Sequence, residues 1–434
     1  MKNMTGFQIA IIGIFIVLAI AGVLVFSGIG GLGDNNQKVG DVEIWGTIPY
    51  EIFDKMISGL NSGNGRFAGV KYIEKDKETY EEEFVEALAA GVGPDLFLLA
   101  QDGIVRNQDK IIEIPYDTIS GRDFKNTFIE EGEMYLTENG VLGLPFTIDP
   151  MVMYWNRDIF QSVGIANPPE FWDELFLLSP KITQRDTASN IIRSFTALGE
   201  FNNIENAKEI LSAFIIQSGN KIIIPIATGF ESIINEKLDF VIPPAEAAVR
   251  FYTEFSNPIK SVYSWNKSLP NSKQLFTAGD LAVYFGFASE LSEILRSNPN
   301  LNFNISPLPQ LRDANVKITY GKMSAFAIPK NSKNQTGALS VGFALTSFEN
   351  IAQFSVNLGL PPVRRDVLTN KPTDAIGSVF YDSALMSKSW FDPDSDETDD
   401  IFKNMIESVT SGRARLGEAI NLADQELGLL LRSR

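Results

Sequence analysis

The 434 residues contain no cysteine and no histidine. Without cysteine there is no disulfide, no thiolate nucleophile and no cysteine-based zinc site. Without histidine there is no Ser-His-Asp triad, no histidine–metal triad and no imidazole acid–base chemistry. An enzyme built from this chain would have to work through carboxylates, lysine, tyrosine or a serine–lysine pair. Basic residues are outnumbered, 37 Lys and Arg against 54 Asp and Glu, for a formal net charge of -17. So acidic a surface repels phosphate backbones, and nucleic acid is not expected as a partner. The sequence also lacks a Gly-x-Gly-x-x-Gly after a strand, a phosphate-loop lysine motif and a nucleophile elbow. No cofactor and no metal is expected. Glycosidases work with paired carboxylates, and Asp149 with Glu290 or Asp102 can be drawn as such a pair. With 54 acidic residues, such pairs arise freely and carry little weight alone.

One long apolar run is present. Residues 7–29 read FQIAIIGIFIVLAIAGVLVFSGI, and no charge occurs between Lys2 and Asp34. About 20 apolar residues cross ~30 Å of hydrocarbon as a helix. Lys2 before the run and Asp34 after it place the N-terminus in the cytoplasm and the rest outside. A cleaved signal peptide is the rival reading, but its apolar core is usually ~7–15 residues. Residues 1–30 are therefore expected to be a cytoplasmic stub and a transmembrane anchor in the lipid bilayer. Lipid attachment is excluded because there is no cysteine. Residues 31–40, rich in Gly, Asn and Asp, read as a flexible linker.

The body begins with alternation. DVEIWGTI (41–48) reads as a strand, YEIFDKMISGLNSG as a helix and VKYIEKD as a strand. KETYEEEFVEALAAG reads as a helix with acidic first turns and a Gly91 cap, and PDLFLLA as a buried strand. This order predicts a parallel sheet with right-handed crossovers. Ligands bind beyond the carboxyl ends of such strands, where Trp45-Gly46-Thr47 and Gln101-Asp102 lie. Helical patterns prevail from about 171 to 300, interrupted by one strand, LAVYFGF (281–287). ITYGKMSAFAIP reads as a further strand, and GALSVGFALTSFENIAQFSVNLG as one helix capped by Gly359. DPDSDETDD (392–400) lacks the glycine and terminal Glu of a calcium loop and is expected to be a solvated loop or helix cap. PFTIDPMVMYWN (145–156) has the composition of a strand but carries Pro150 inside it. Aromatic residues recur near strand ends: Trp45, Tyr154, Trp155, Tyr284, Phe285, Phe287, Tyr320 and Trp390. Flat rings beside carboxylates and amides suit sugars, and core packing is the competing reading for each ring.

Several stretches, in order, resemble the family 1 extracellular solute-binding proteins, the maltose- and oligosaccharide-binding components of ABC importers. They are EALAAGVGPDLFLL, GVLGLPFTIDPMVMYWNRDIFQSVGIANPPEFWDEL, QLFTAGDLAVYFGF, ISPLPQ, SAFAIPKNSKN and GLPPVRRDVL. Together they cover nearly all of residues 41–434. The resemblance implies an α/β, two-lobe, periplasmic-binding-protein-like fold with hinge crossings. Residues 145–154 would form the first crossing, marked by Pro150. A second crossing would fall near Pro307–Pro309 and a third near Gly359–Pro362. Lobe 1 would hold 41–148 with 307–358, and lobe 2 would hold 149–306 with 359–434.

The resemblance further implies closure around a sugar or oligosaccharide, delivery to an ABC permease and no covalent chemistry. The candidate ligand-binding residues are Trp45, Thr47, Gln101, Asp102, Thr147, Asp149, Tyr154, Phe287, Tyr320, Lys322, Arg364 and Trp390. Trp155 is expected to pack into lobe 2. The chain departs from the family pattern at three places. Ser289 stands where many members have a stacking tryptophan, leaving Phe287 as the substitute ring. Phe171 replaces a capping threonine. Lys322 follows Gly321 where an aromatic residue is common, and could meet an anionic group. Two other readings stay open: an anchored carboxylate-dependent glycoside hydrolase, and a ligand-binding sensor subunit of a membrane receptor.

Overall fold

The computed structural model describes residues 38–61, 65–238, 240–312 and 314–433. The expected anchor and residues 31–37 of the linker lie outside them. No described helix is long and apolar enough to cross a membrane.

The opening alternation is present. β1 (Val42–Gly46), α1 (Tyr50–Asn61), β2 (Val70–Glu74), α2 (Tyr80–Ala90) and β3 (Leu96–Ala100) follow in order. β1 pairs in parallel with both β2 and β3. α2 shows how local chemistry sets an element. Glu81, Glu82 and Glu83 occupy its positive first turn. Tyr80, Phe84 and Ala87 make its buried face, and Gly91, at φ 71°, turns the chain out in the left-handed region.

The central element is β4 (Leu144–Asn156), 13 residues long. Its first half pairs antiparallel with β8 (Thr319–Ala327), from Leu144 to Pro150. Its second half pairs antiparallel with β6 (Leu281–Phe287), and with β7 (Phe303–Pro307). β5 (Ile191–Thr196) extends the sheet beyond β6. One ten-stranded sheet thus runs through the whole body. Pro150 stands where β4 exchanges one set of partners for the other. Proline has no N–H to give to a ladder, so it is tolerated where pairing changes hands.

Two hydrophobic clusters flank that point. The first includes Phe53, Phe97, Phe146, Ile148, Met323 and Phe354. The second includes Met151, Tyr154, Trp155, Phe195, Phe214 and Trp265. β4 therefore leaves one core at Ile148 and enters the other at Met151. Trp155 joins the second core, as expected.

Cluster membership moves the other two crossings. Leu308 belongs to the second cluster, and the Trp172 N–H donates to the Gln310 carbonyl at 3.1 Å. The return comes within β8, between Tyr320 in the second cluster and Met323 in the first. Past Gly359, Val363, Val367 and Leu368 remain in the first cluster. The helix Ala375–Leu385 then straddles both cores, with Phe380 in the second and Ala384 in the first, and Trp390 beyond it lies in the second. In both places a proline-rich turn ends an element without changing which core receives the next apolar side chains.

The single helix expected over 337–359 is two helices, Gln335–Leu345 and Phe348–Leu358, because the Ser347 hydroxyl accepts from the Asn350 N–H and starts a new one. The 171–300 region also holds more strand than expected: β5 and a hairpin, Ile223–Ile226 with Gly229–Ser232. In the acidic run, Asp394 caps the helix Ser395–Thr410, as expected. Solvation holds for Asp396, Glu397, Asp399 and Asp400 but fails for Asp392 and Asp394, which are buried.

Candidate functional site

Across an antiparallel ladder, directly opposed residues point to the same side. Thr147 opposes Ser324, and Asp149 opposes Lys322. Their shared face also carries Tyr320, two residues from Lys322. The alternate residues Phe146, Ile148, Met323 and Ala325 fill the first core. Thr147, Asp149 and Ser324 are half-buried and Lys322 is exposed. This face, at the point where both long strands change core, is the floor between the two lobes.

The walls come from both sides. On one, Phe287 ends β6 and lies edge-on to Tyr320, ring centres 6.4 Å apart. The Lys322 ammonium sits 4.4 Å from the Phe287 ring centre and 2.6 Å from the Glu209 carboxylate. Glu209 lies in the first turn of the helix Ala207–Gln217, where the helix dipole favours a negative charge. The Ser289 N–H donates to Asp149 Oδ1 at 3.0 Å. On the other side, Gln101 and Asp102 follow β3, and Gln101 Oε1 accepts from the Met323 N–H. Asp102 makes no hydrogen bond or ion pair among the described residues, yet its charge is felt at Tyr320, Lys322 and Asp392. The buried pair Lys208–Asp392, 3.0 Å apart, closes the back.

Burial raises the Asp149 carboxyl to about 6, with the Ser289 hydrogen bonds and Lys322 opposing. Burial raises Asp392 to about 6 as well, against the pull of Lys208. Burial also pushes Glu209 up, but Lys322 and Lys208 outweigh it and hold its carboxyl below the usual range. For Lys322, burial works against the charge while Glu209 more than compensates, so its ammonium is held above the usual value.

Three contacts tie the lobes together beside the floor. Arg106 pairs with Asp394, and Lys388 pairs with Glu130 at 2.7 Å. Glu131, 2% exposed, accepts from the Ser389 hydroxyl and N–H. Burial lifts its carboxyl to about 8. Among the described residues no three carboxylates are grouped as a metal site.

Of the candidate residues, the structure brings Gln101, Asp102, Thr147, Asp149, Phe287, Tyr320 and Lys322 together. Trp45 is instead buried in the first core; its indole N–H donates to Glu43 at 2.7 Å, and Lys75 covers its ring at 3.7 Å. Thr47 is half-buried at that same edge. Tyr154 has the wrong parity for the floor. It is fully buried, and its hydroxyl donates to the Phe287 carbonyl at 2.7 Å. Arg364 is spent on Asp366 at 2.7 Å and on the Thr346 carbonyl at 2.9 Å, within the first lobe. Trp390 is buried and stacked on Phe402, 5.8 Å between ring centres, although its indole N–H meets no acceptor among the described residues. Lys322, though exposed, is paired with Glu209. The residues missed are Ser324, Glu209, Lys208, Asp392, Arg106 and Asp394. Ser324 was within reach of strand parity. The others pair across sequence separations that local pattern does not reveal.

The family model of bacterial extracellular solute-binding proteins matches residues 55–377. A Brucella abortus protein named as a binding protein is 24% identical over 337 residues, covering 75% of this chain and 77% of its own. The sn-glycerol-3-phosphate-binding periplasmic protein of Escherichia coli is 22% identical over 350 residues, covering 76% of each chain. Among solved structures, the sugar-binding protein MalE of Xanthomonas citri superposes with a TM-score of 0.72 at 17% identity, over 91% of this chain and 98% of that one. The cyclic α-maltosyl-1,6-maltose binding protein of Arthrobacter globiformis gives 0.73 at 14% identity, over 91% and 99%. These likenesses show the two-lobe α/β fold.

Two outcomes follow from the geometry. Tyr154→Phe strands the Phe287 carbonyl and is expected to lower unfolding free energy by about 1–3 kcal/mol in denaturant titration. An unchanged stability would place the hydroxyl outside the core. For Glu131, the ordinary value is 4.5 and the folded value about 8. Between those values the folded chain keeps a proton that the unfolded chain has released, so stability falls as pH rises through that window. Glu131→Gln should flatten this slope in thermal melts at pH 5, 6.5 and 8; an identical slope in the variant would refute the assignment.

Proposed function

Since the chain belongs to the bacterial extracellular solute-binding proteins, we propose that it captures a carbohydrate between its two lobes and delivers it to an ABC permease. The observation that carries this reading is the floor itself. Thr147, Asp149 and Ser324 line one half-buried face between two separately packed cores, with Asp102 and Phe287 on its walls. Hydroxyls and carboxylates on a floor beside an aromatic ring suit a ligand with C–H faces and many hydroxyls. Asp149 accepts the Ser289 peptide N–H on Oδ1 and is also met by the Ser289 side chain, and a carboxylate keeps further lone pairs to offer. A sugar hydroxyl donating there would gain a charge-assisted hydrogen bond. Two structural neighbours were solved with maltotetraose and with mannobiose bound, ligands of this class.

Closure would use the two β-strand crossings as hinges. The Arg106–Asp394 and Lys388–Glu130 pairs bridge the lobes. The apolar run at 7–29 supports tethering of the body to the outer face of the cell membrane, so that bound ligand stays near its permease. The chemistry ends at binding, and the ligand leaves unaltered.

The test is calorimetric titration of the full-length chain in detergent with mono- and oligosaccharides. One sugar class is expected to bind and to be recovered unchanged. At about 100 times its dissociation constant it should stabilise the fold by ~2.7 kcal/mol. Asp149→Asn should weaken that sugar roughly tenfold, the value of one charge-assisted hydrogen bond. Recovery of cleaved sugar, or full affinity in the variant, would contradict the proposal.

A further inference from the structure

The charges around the floor say more than that a sugar fits. Among the described residues four cations reach this region, and each is already matched, Lys388 by Glu130 at 2.7 Å. Lys208 lies 3.0 Å from Asp392 and 2.8 Å from Asp399. Lys322 lies 2.6 Å from Glu209, and Arg106 pairs with Asp394. Asp102 and Asp149, by contrast, have no cation within ion-pair distance among the described residues. Lys322 stands directly opposite Asp149 in the ladder, yet it turns to Glu209 and to the ring of Phe287.

Among the described residues an anionic ligand therefore meets two carboxylates that have no cation partner, and no cation that lacks a carboxylate. To win Lys322 it must compete with Glu209, whose side chain is only 13% exposed. Taking the ammonium away leaves Glu209 as a poorly solvated charge without its partner. Breaking a buried pair from one side is more costly than never forming it. A hydroxyl meets the opposite situation: it donates to Asp102 or Asp149 and disturbs no pair. An ammonium group on the ligand adds direct attraction to the same carboxylates.

We infer that this cleft selects by charge, taking hydroxylated ligands that are neutral or carry an ammonium group and rejecting their phosphorylated counterparts. The inference rests on the interlobe binding reading above. It separates this chain from its sn-glycerol-3-phosphate-binding relatives. It also reverses the expectation that Lys322 receives an anion. Glu209 becomes the specificity residue: it holds the one floor cation and withholds it from the ligand.

The experiment compares matched probes on the full-length chain in detergent, by calorimetry at constant ionic strength. The sets are glucose, glucosamine and glucose 6-phosphate; galactose, galactosamine and galactose 6-phosphate; and glycerol with sn-glycerol 3-phosphate. The expected result is binding of a neutral or amino member, with its phosphorylated partner at least tenfold weaker. Glu209→Gln, which frees Lys322, should narrow that gap several-fold. Asp102→Asn should reduce any preference for the amino form. A phosphorylated probe that binds as well as its neutral parent overturns the charge rule and leaves the interlobe site standing. Binding of no member of any set, nor of maltotetraose or mannobiose titrated beside them, overturns the carbohydrate reading, and the charge rule falls with it. The comparison on the unmodified chain decides the matter even where a variant fails to fold.

Discussion

The rest of the structure depends on one strand having two owners. β4 spends its first half in the ladder of one core and its second half in the ladder of the other. A strand cannot shift register without turning its buried face outward, so both cores fix it at once. The floor residues between those halves are therefore held by packing on either side. Pro150 is tolerated because it falls where ladder partners change. β8 repeats the arrangement in the opposite direction, and Lys322 lies at its changeover as Asp149 does at that of β4. Two rigid bodies joined by two such strands can rotate about the changeover points while the floor moves little. That combination of a fixed floor and movable walls suits capture and release.

The electrostatics follow from this placement. A floor between two cores is partly desolvated, and a carboxylate there must find donors. Asp149 takes the Ser289 N–H, and Glu209 and Asp392 take ammonium groups. The raised Asp149 and Asp392 and the lowered Glu209 record how well each is served. With the cations so used, what remains for a ligand is acceptor capacity at Asp102 and Asp149. A strongly acidic chain, 54 acids to 37 bases, has thus built a site whose cations serve its own carboxylates first.

Much of this was legible in the sequence, for identifiable reasons. Alternating apolar patterns with turn residues revealed β1 to β3, and an ordered series of motifs revealed the two-lobe fold. Pro150 inside a strand-like run stands where β4 changes its ladder partners. Strand parity puts Tyr154 on the opposite face from Asp149, where its hydroxyl is taken by the Phe287 carbonyl. Trp45 was less accessible: a ring at a strand's carboxyl end looks the same whether a ligand or Lys75 covers it. At the later proline-rich turns the apolar residues that follow, rather than the prolines, decide which core receives the chain. Lys208, Glu209 and Asp392 were out of reach, since a pair separated by 184 residues leaves no local trace. The acidic run at 392–400 shows the same limit, with solvated and buried aspartates adjacent in one short segment.

The central claim is that ligand binds on the floor where both long strands change core. A crystal structure of the chain with its tightest-binding sugar tests it most directly. The account predicts sugar between the lobes, with a hydroxyl on Asp149 or Asp102, the ring of Phe287 beside it and the Lys322–Glu209 pair intact. Sugar bound elsewhere, or bound at the floor through Lys322 with Glu209 displaced, would contradict it.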